Sequence, residues 1–378
     1  MDSINVLLFH EQTPDSVELW SWNGQLTVMA KSGKSIKIRP GQPAVRIYRM
    51  GRDVICESGL NRLVTNRLTI KAPPDTLIRI KAAGYPYRYY RGSVKITASG
   101  MARALHIVNK TGLEDYVGSV VGSEMDFRNI EALKVQAVIA RTYALWHLSV
   151  TAGTGYDVSD NTQNQIYKGD LIMKPYCRQV ALATRGEIIT WSHRLILAAY
   201  SSTCGGQTAS NQTVWGGKAI PYLKPVKDNG ACADSPHYRW TFRISRDSLL
   251  GALHHALRGP VRDIAGLDTS QYGRITYVHL EISPEQHRTI KGTLFRKILL
   301  DQFGERSLES NWYSLQKENN MYIFHGRGMG HGVGLCQWGA RGLALSGWNY
   351  RDILRFYYTG VKIEELDHIK GKYLPLAY

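Results

Sequence analysis

Asn129-Ile130-Glu131-Ala132-Leu133-Lys134-Val135-Gln136-Ala137-Val138-Ile139-Ala140-Arg141-Thr142-Tyr143-Ala144-Leu145-Trp146-His147-Leu148 is where the pattern of this 378-residue chain changes. Apolar residues recur at helical spacing, with Ile130, Leu133, Ala137, Ala140, Ala144 and Leu148 along one face. Val135, Ile139 and Trp146 fall on other faces, so the segment reads as one helix, apolar nearly all round and buried at the centre of its domain. Lys134 and Arg141 interrupt it. Seven positions apart, they share one side of the helix, beside Ile130 on the inward stripe. A cation facing a core needs an anion, so the two are either members of a buried ion pair or cations lining a polar cleft.

Upstream of this helix the chain reads as strands and turns. Segments 17–22, 35–39, 44–49, 68–72, 77–82 and 93–98 are short, partly alternating and rich in Val, Ile and Tyr, with Gly and Pro between them. Downstream, strand-like segments return at 186–191, 195–201, 238–244 and 274–282, with a helix expected over 248–257. The class is therefore α+β. We expect a β-rich region over residues 1–110, a mixed sheet and helix domain built around the buried helix over 111–366, and a tail over 367–378.

Composition narrows the function. The chain is 43% hydrophobic and 21% charged, as ordinary globular proteins are, and no apolar run approaches the ~18 residues of a membrane span. With 47 Lys and Arg against 31 Asp and Glu, the formal charge is +16, which draws the protein toward polyanions such as nucleic acid, anionic lipid or an acidic cell wall. The basic residues are scattered, and no helix-turn-helix, zinc-finger or RNA-stacking signature accompanies them, so nucleic acid is not expected as a partner. Met1-Asp2-Ser3-Ile4 lacks a charged n-region before an apolar core. Either the protein is not secreted, or the sequence begins after a signal or anchor. Five cysteines without CxxC spacing read as buried free thiols, with Cys204 and Cys232 the one pair worth testing for a bridge.

Three segments could carry chemistry. In Gly122-Ser123-Glu124-Met125 an apolar stretch leads into a carboxylate just ahead of the buried helix. Desolvation would favour a protonated general acid there, while a helix N-terminus would favour the anion. If that helix is continuous, Arg141 lies ~18 Å from its start and reaches Glu124 only if the chain folds back. The second segment, His325-Gly326-Arg327-Gly328-Met329-Gly330-His331-Gly332-Val333-Gly334, has glycine at every second residue. In an extended chain these would bare one face and let another element or a ligand approach closely. It lacks the P-loop lysine, and the HExxH zinc motif is absent too. After it, Gln337, Ala340 and Ala344 suggest a short helix, and Asn349 caps a further one with Asp352 three residues on. The third consists of two polar loops, residues 160–169 and 201–208, of the kind that bonds sugar hydroxyls, and also of the kind found in any surface turn. The second lacks GxSxG spacing.

In this order the segments resemble the stage II sporulation protein D family, which also includes amidase-enhancer proteins. The matching elements are Leu113-Glu114-Asp115-Tyr116-Val117 leading to Ser123-Glu124-Met125, and Glu131-Ala132-Leu133-Lys134-Val135-Gln136-Ala137 leading to Arg141-Thr142-Tyr143-Ala144. They continue with Gln165-Ile166-Tyr167-Lys168-Gly169, Gly205-Gly206-Gln207-Thr208, Pro221-Tyr222-Leu223 and Gly328-Met329-Gly330-His331-Gly332-Val333-Gly334 through Gln337-Trp338-Gly339-Ala340.

The resemblance implies a lytic transglycosylase of the cell envelope. It would act on peptidoglycan glycan strands, after an amidase has removed the stem peptides, and leave 1,6-anhydro ends. By the same resemblance Glu124 is the catalytic acid/base, and Lys134, Arg141, Gln165, Thr208, Tyr222 and His331 belong to the substrate-binding set. A non-catalytic, glycan-gripping amidase enhancer is the alternative. Some members carry a Cys/His zinc site near the segment that here spans 157–165. This segment holds neither residue, so no metal is expected there and no cofactor is called for.

Overall fold

The structure, a computed structural model, describes residues 3–98, 104–150, 155–162, 164–171 and 174–366. It is α+β, as expected. These residues form two compact units, one running to Leu197 and resuming at Ile363, the other spanning Ala198–Lys362. The division does not fall at residue 110. The strand Leu105–Gly112 runs directly into a helix, and both belong to the same core. The tail over 367–378 lies outside the described residues, as does Gln163 of the first polar loop.

Among the described residues there are eight helices: α1 (Leu113–Glu124), α2 (Ile130–Val150), α3 (Pro175–Ala183), α4 (Asn211–Val214), α5 (Arg246–Leu257), α6 (Gly292–Phe303), α7 (Gln337–Leu345) and α8 (Tyr350–Tyr357). In the first unit a seven-stranded sheet runs in the order Val158–Ser159, Ser3–Leu8, Leu105–Gly112, Ser93–Ala98, Arg67–Lys71, Leu26–Ala30, Ser35–Ile38. A six-stranded sheet runs Arg88–Tyr90, Ile78–Ala82, Ser16–Ser21, Val45–Met50, Asp53–Ser58, Asn61–Thr65. Val17 and Leu19 point inward while Glu18 points to solvent, the period-two pattern of a half-buried strand. Val6, Ile70 and Ile107 from one sheet join Leu19, Ile47 and Ile80 from the other, with Tyr116 and Val120 of α1 and Leu133, Ala137 and Ala144 of α2, in one core.

The central helix is present, but its first residue is not buried. Ile130 is 60% exposed, because α2 begins at that residue and its inward face starts only at Ala132 and Leu133. Helix α1 departs further from its sequence. Val117, Val120 and Val121 favour a strand, and Gly118 and Gly122 weaken a helix. Packing overrides both. The two glycines lie four residues apart on one face of α1. A Cβ on Gly118 would sit 2.9 Å from the Arg178 Cα of α3, and one on Gly122 2.5 Å from Leu171 Cδ1.

In the second unit, two three-stranded antiparallel sheets pack with α5 and α6. Leu249 and Leu253, Phe295 and Leu299, Val278, Leu280 and Phe324 form its core. Segment 195–201 is not one strand. Arg194–Leu195 ends the first unit's sheet, and Tyr200–Ser201 pairs in parallel with Leu335–Cys336 in the second. The alternating-glycine stretch is a strand only at its start, His325–Gly326. Gly328, Gly330, Gly332 and Gly334 all have φ between +74° and +97°, backbone that favours glycine at each of these positions. The close approach does hold: a Cβ on Gly328 would meet the Thr203 carbonyl at 2.6 Å, and one on Gly330 the Ser201 Cβ at 2.9 Å. Helices α7 and α8 fall where expected, and the Asn349 side chain accepts the Asp352 N–H that caps α8.

Candidate functional site

Glu124 is the last residue of α1, not a first-turn residue of the helix that follows. This changes its electrostatics. A helix C-terminus is the negative end of the dipole and disfavours a carboxylate anion, so partial burial and the helix end act in the same direction. Opposing both, the Ile166 N–H donates to Glu124 Oε1 at 2.8 Å, and such a bond favours the charged form.

The segment around Ile166 organises the rest of the site. Tyr116 of α1 donates its hydroxyl to Gln165 Oε1 at 3.0 Å. Asn164 bonds the Tyr143 hydroxyl of α2, and its Nδ2 lies 3.5 Å from His147 Nδ1. Asn164 Oδ1 in turn accepts from the Ser159 N–H and hydroxyl, both at 2.8 Å. Three consecutive residues, 164–166, thus hold the last residue of α1, its first turn and α2. Burial pushes the Tyr116 and Tyr143 hydroxyls up, and the Glu124 charge adds to both. Burial pushes His147 down to about 4, so its imidazole is neutral at neutral pH.

Arg141 is fully buried in the first unit, where it is a structural clamp. Its Nε donates to Glu114 Oε1 at 2.9 Å and its Nη2 to Glu114 Oε2. The remaining donors reach the Glu187 carbonyl and the Ala181 carbonyl near the end of α3, both at 3.0 Å. Lys134 has a different environment: half-buried, it pairs with Glu131 at 2.8 Å within the first turns of α2. Gln165, bonded to Tyr116, is buried with no exposed surface.

Thr208, Tyr222 and His331 belong to the second unit. Thr208 is buried, and its Oγ1 accepts the Val226 N–H at 2.8 Å. Tyr222 is buried as well, and its carbonyl accepts the Thr359 N–H at 3.2 Å. His331 Nδ1 accepts the Val333 N–H at 2.9 Å, a second bond joins the ring to the Tyr200 backbone, and Trp215 lies 5.2 Å away, centroid to centroid. Burial, then the Arg274 and Arg296 cations, lower His331 to about 4. In this conformation Arg141, Gln165, Thr208 and Tyr222 offer a ligand no surface. Glu114, Tyr116, Asn164, Tyr143 and His147 were not singled out as site residues by sequence. Glu114, Tyr116 and Tyr143 stood inside quoted motifs and Asn164 inside a polar loop, but nothing in a linear pattern ties Glu114 to Arg141, 27 positions on.

The chain matches proteins named for sporulation and for enhancing amidases, and one uncharacterized protein. A family model described as stage II sporulation protein matches residues 101–191, and a second, described as a domain of unknown function, matches 229–334. Stage II sporulation protein D of Bacillus subtilis is 30% identical over 287 residues, 71% of this chain and 78% of that protein. An uncharacterized protein of Brachyspira hyodysenteriae is 34% identical over 274 residues, 71% of each chain. The amidase enhancer of B. subtilis is 26% identical over 280 residues, 62% of this chain and 38% of the enhancer. The chain belongs to the stage II sporulation protein D family. That membership supports a cell-wall-related function. No helix among the described residues is long and apolar enough to cross a membrane.

Proposed function

We propose that the protein is a peptidoglycan lytic transglycosylase of the cell envelope, with Glu124 as its single acid/base. The observation that carries this is the setting of Glu124: a half-buried carboxylate at a helix C-terminus, held by one backbone N–H from a segment that also fixes Tyr116 and Tyr143. Burial and the helix end favour the protonated acid, and the N–H keeps the anion accessible. An ordinary glycosidase needs two carboxyl groups. Here one suffices, because the sugar supplies the nucleophile. Glu124 protonates the glycosidic oxygen as the C1–O bond breaks. The muramic acid C6 hydroxyl then bonds to C1, and Glu124 takes up its proton, so the enzyme is restored and a 1,6-anhydro end is left. Lys134 in the first unit and His331 in the second are each proposed to bind glycan. Arg141, Gln165, Thr208 and Tyr222 are assigned to holding the binding elements in place.

The test is digestion of glycan from which stem peptides have been removed, with mass analysis of the products and Glu124→Gln as control. Anhydro-ended fragments that disappear in the variant support the reading. Plain reducing ends would make the protein a hydrolase. No cleavage of peptide-free or intact wall, together with retained glycan binding, would leave an amidase-enhancing binder.

A further inference from the structure

Cys204, Asp228, Cys232 and Cys336 converge inside the second unit. All four are buried, and their ligand atoms lie within 4.8 Å of one another. We propose that these residues form a structural Zn²⁺ site, a closed three-thiolate, one-carboxylate tetrahedron that ties together three separate segments of the unit.

The geometry is close to that of a loaded site. Two sulfurs at about 2.3 Å from a tetrahedral zinc lie about 3.8 Å apart, and a sulfur and a carboxylate oxygen about 3.5 Å. Cys204 Sγ and Cys232 Sγ are 3.7 Å apart, and Cys204 Sγ lies 3.1 Å from Asp228 Oδ2. A disulfide needs about 2.05 Å, so these sulfurs sit at a ligand–ligand distance, not a bond length.

The surroundings orient the donors. The Cys204 N–H points at Cys336 Sγ at 3.1 Å, and the Gly339 N–H at 3.3 Å, with Cys336 standing as the N-cap of α7. Such N–H bonds and the positive end of a helix stabilise a thiolate ligand. The Gly230 N–H holds Asp228 Oδ1 at 3.1 Å, which leaves Oδ2 toward the thiols. The buried Arg274 guanidinium braces the Cys204 loop through the Cys204 and Gln207 carbonyls, at 3.0 and 3.2 Å, and brings a positive charge to the site. A buried carboxylate needs a cation or full hydrogen bonding, and a divalent ion supplies the cation. Soft sulfur donors select zinc over magnesium or calcium. Four protein ligands leave no open position, so the ion would hold structure without activating water. This site is distinct from the 157–165 segment, where no metal was expected. With 28 and 104 residues separating its cysteines, no ligand spacing is visible in the sequence.

The test is metal analysis of the full chain purified without chelator, with Cys232→Ser and Asp228→Asn as site variants. Cys56→Ala serves as a control, since that thiol is buried in the other unit. The expected result is about one zinc per chain in wild type and control, lost in Cys232→Ser. A site variant can also lose zinc by misfolding, so wild type is exchanged with Co²⁺ as well, which should give thiolate-to-cobalt charge-transfer absorption. Three results would each overturn the site: no bound metal with chelator leaving the melting temperature unchanged, five thiols that titrate freely in the native protein, or a Cys204–Cys232 disulfide in the mass of the purified chain.

Discussion

Arg141 and Glu114 meet in a two-pronged ion pair that fastens α2 to the first turn of α1, with the guanidinium fully buried and its other donors on the Glu187 and Ala181 carbonyls. Removing one partner strands the other charge in the core, at a cost of ~3–5 kcal/mol. Arg141→Ala is therefore expected to lower the melting temperature steeply, and Arg141→Lys to recover only part of it, since an ammonium cannot make the planar fork. Calorimetry of the two variants decides this. Equal melting temperatures in wild type and Arg141→Ala would mean that the pair contributes nothing to the fold.

Two glycines should respond oppositely to the same change. Gly118 of α1 faces the Arg178 backbone of α3, and Gly118→Ala is expected to cost ~1–3 kcal/mol through overpacking. Gly251 is exposed in the middle of α5, and a methyl group added there would meet nothing within 4 Å. Gly251→Ala should stabilise by up to about 1 kcal/mol, because alanine is the better helix former. Urea denaturation of both variants reads the two signs directly.

Much of the α+β pattern was legible in the chain, and the reasons differ by element. All six strands expected before residue 98 are present, because each alternates between core and solvent. Six others escaped, Leu26–Ala30, Asp53–Ser58, Asn61–Thr65 and Arg88–Tyr90 among them; Ser3–Leu8 and Leu105–Gly112 did so because they sit inside the larger sheet and lack clean alternation. Helix α1 was invisible because its stability comes from glycine-mediated contact with α3, and no local pattern records such a contact. Glu124 was found as a residue but assigned to the wrong end of a helix. Of the Cys204–Asp228–Cys232–Cys336 cluster, sequence singled out only Cys204 and Cys232, as a pair to test for a bridge; Asp228 and Cys336 join them only in three dimensions.

Each of two buried histidines should weaken its unit in acid over one pH window, although in the second unit Asp228, raised by burial to about 6, works against His331 there. His147 and His331 are each held near about 4, His147 by burial, His331 by burial first and then by Arg274 and Arg296. The ordinary histidine value is about 6.5. Between these values the unfolded chain binds protons that the folded chain does not, so stability falls as pH drops from about 6.5 toward 4. Melting temperatures recorded across that range should decline, and His147→Gln should show a shallower decline than wild type. A flat profile would show that neither ring stays neutral because of the fold.

The Tyr116 hydroxyl offers a test of how Glu124 is positioned. It donates to Gln165, whose neighbour Ile166 supplies the N–H on Glu124. Tyr116→Phe removes that hydroxyl and leaves the Gln165 carbonyl oxygen without this donor, at a cost of ~1–3 kcal/mol. If residues 164–166 act as a unit, the loosened segment carries the Ile166 N–H away from Glu124. The glycan-cleavage rate then falls about tenfold or more for a loss of ~1.4 kcal/mol in transition-state stabilisation. A purely structural role predicts a lower melting temperature with an unchanged pH–rate profile at low temperature. A positioning role predicts that the profile itself moves to higher pH, because Glu124 loses a hydrogen bond that favours its anion. Measuring rate against pH for Tyr116→Phe, well below its melting temperature, separates the two.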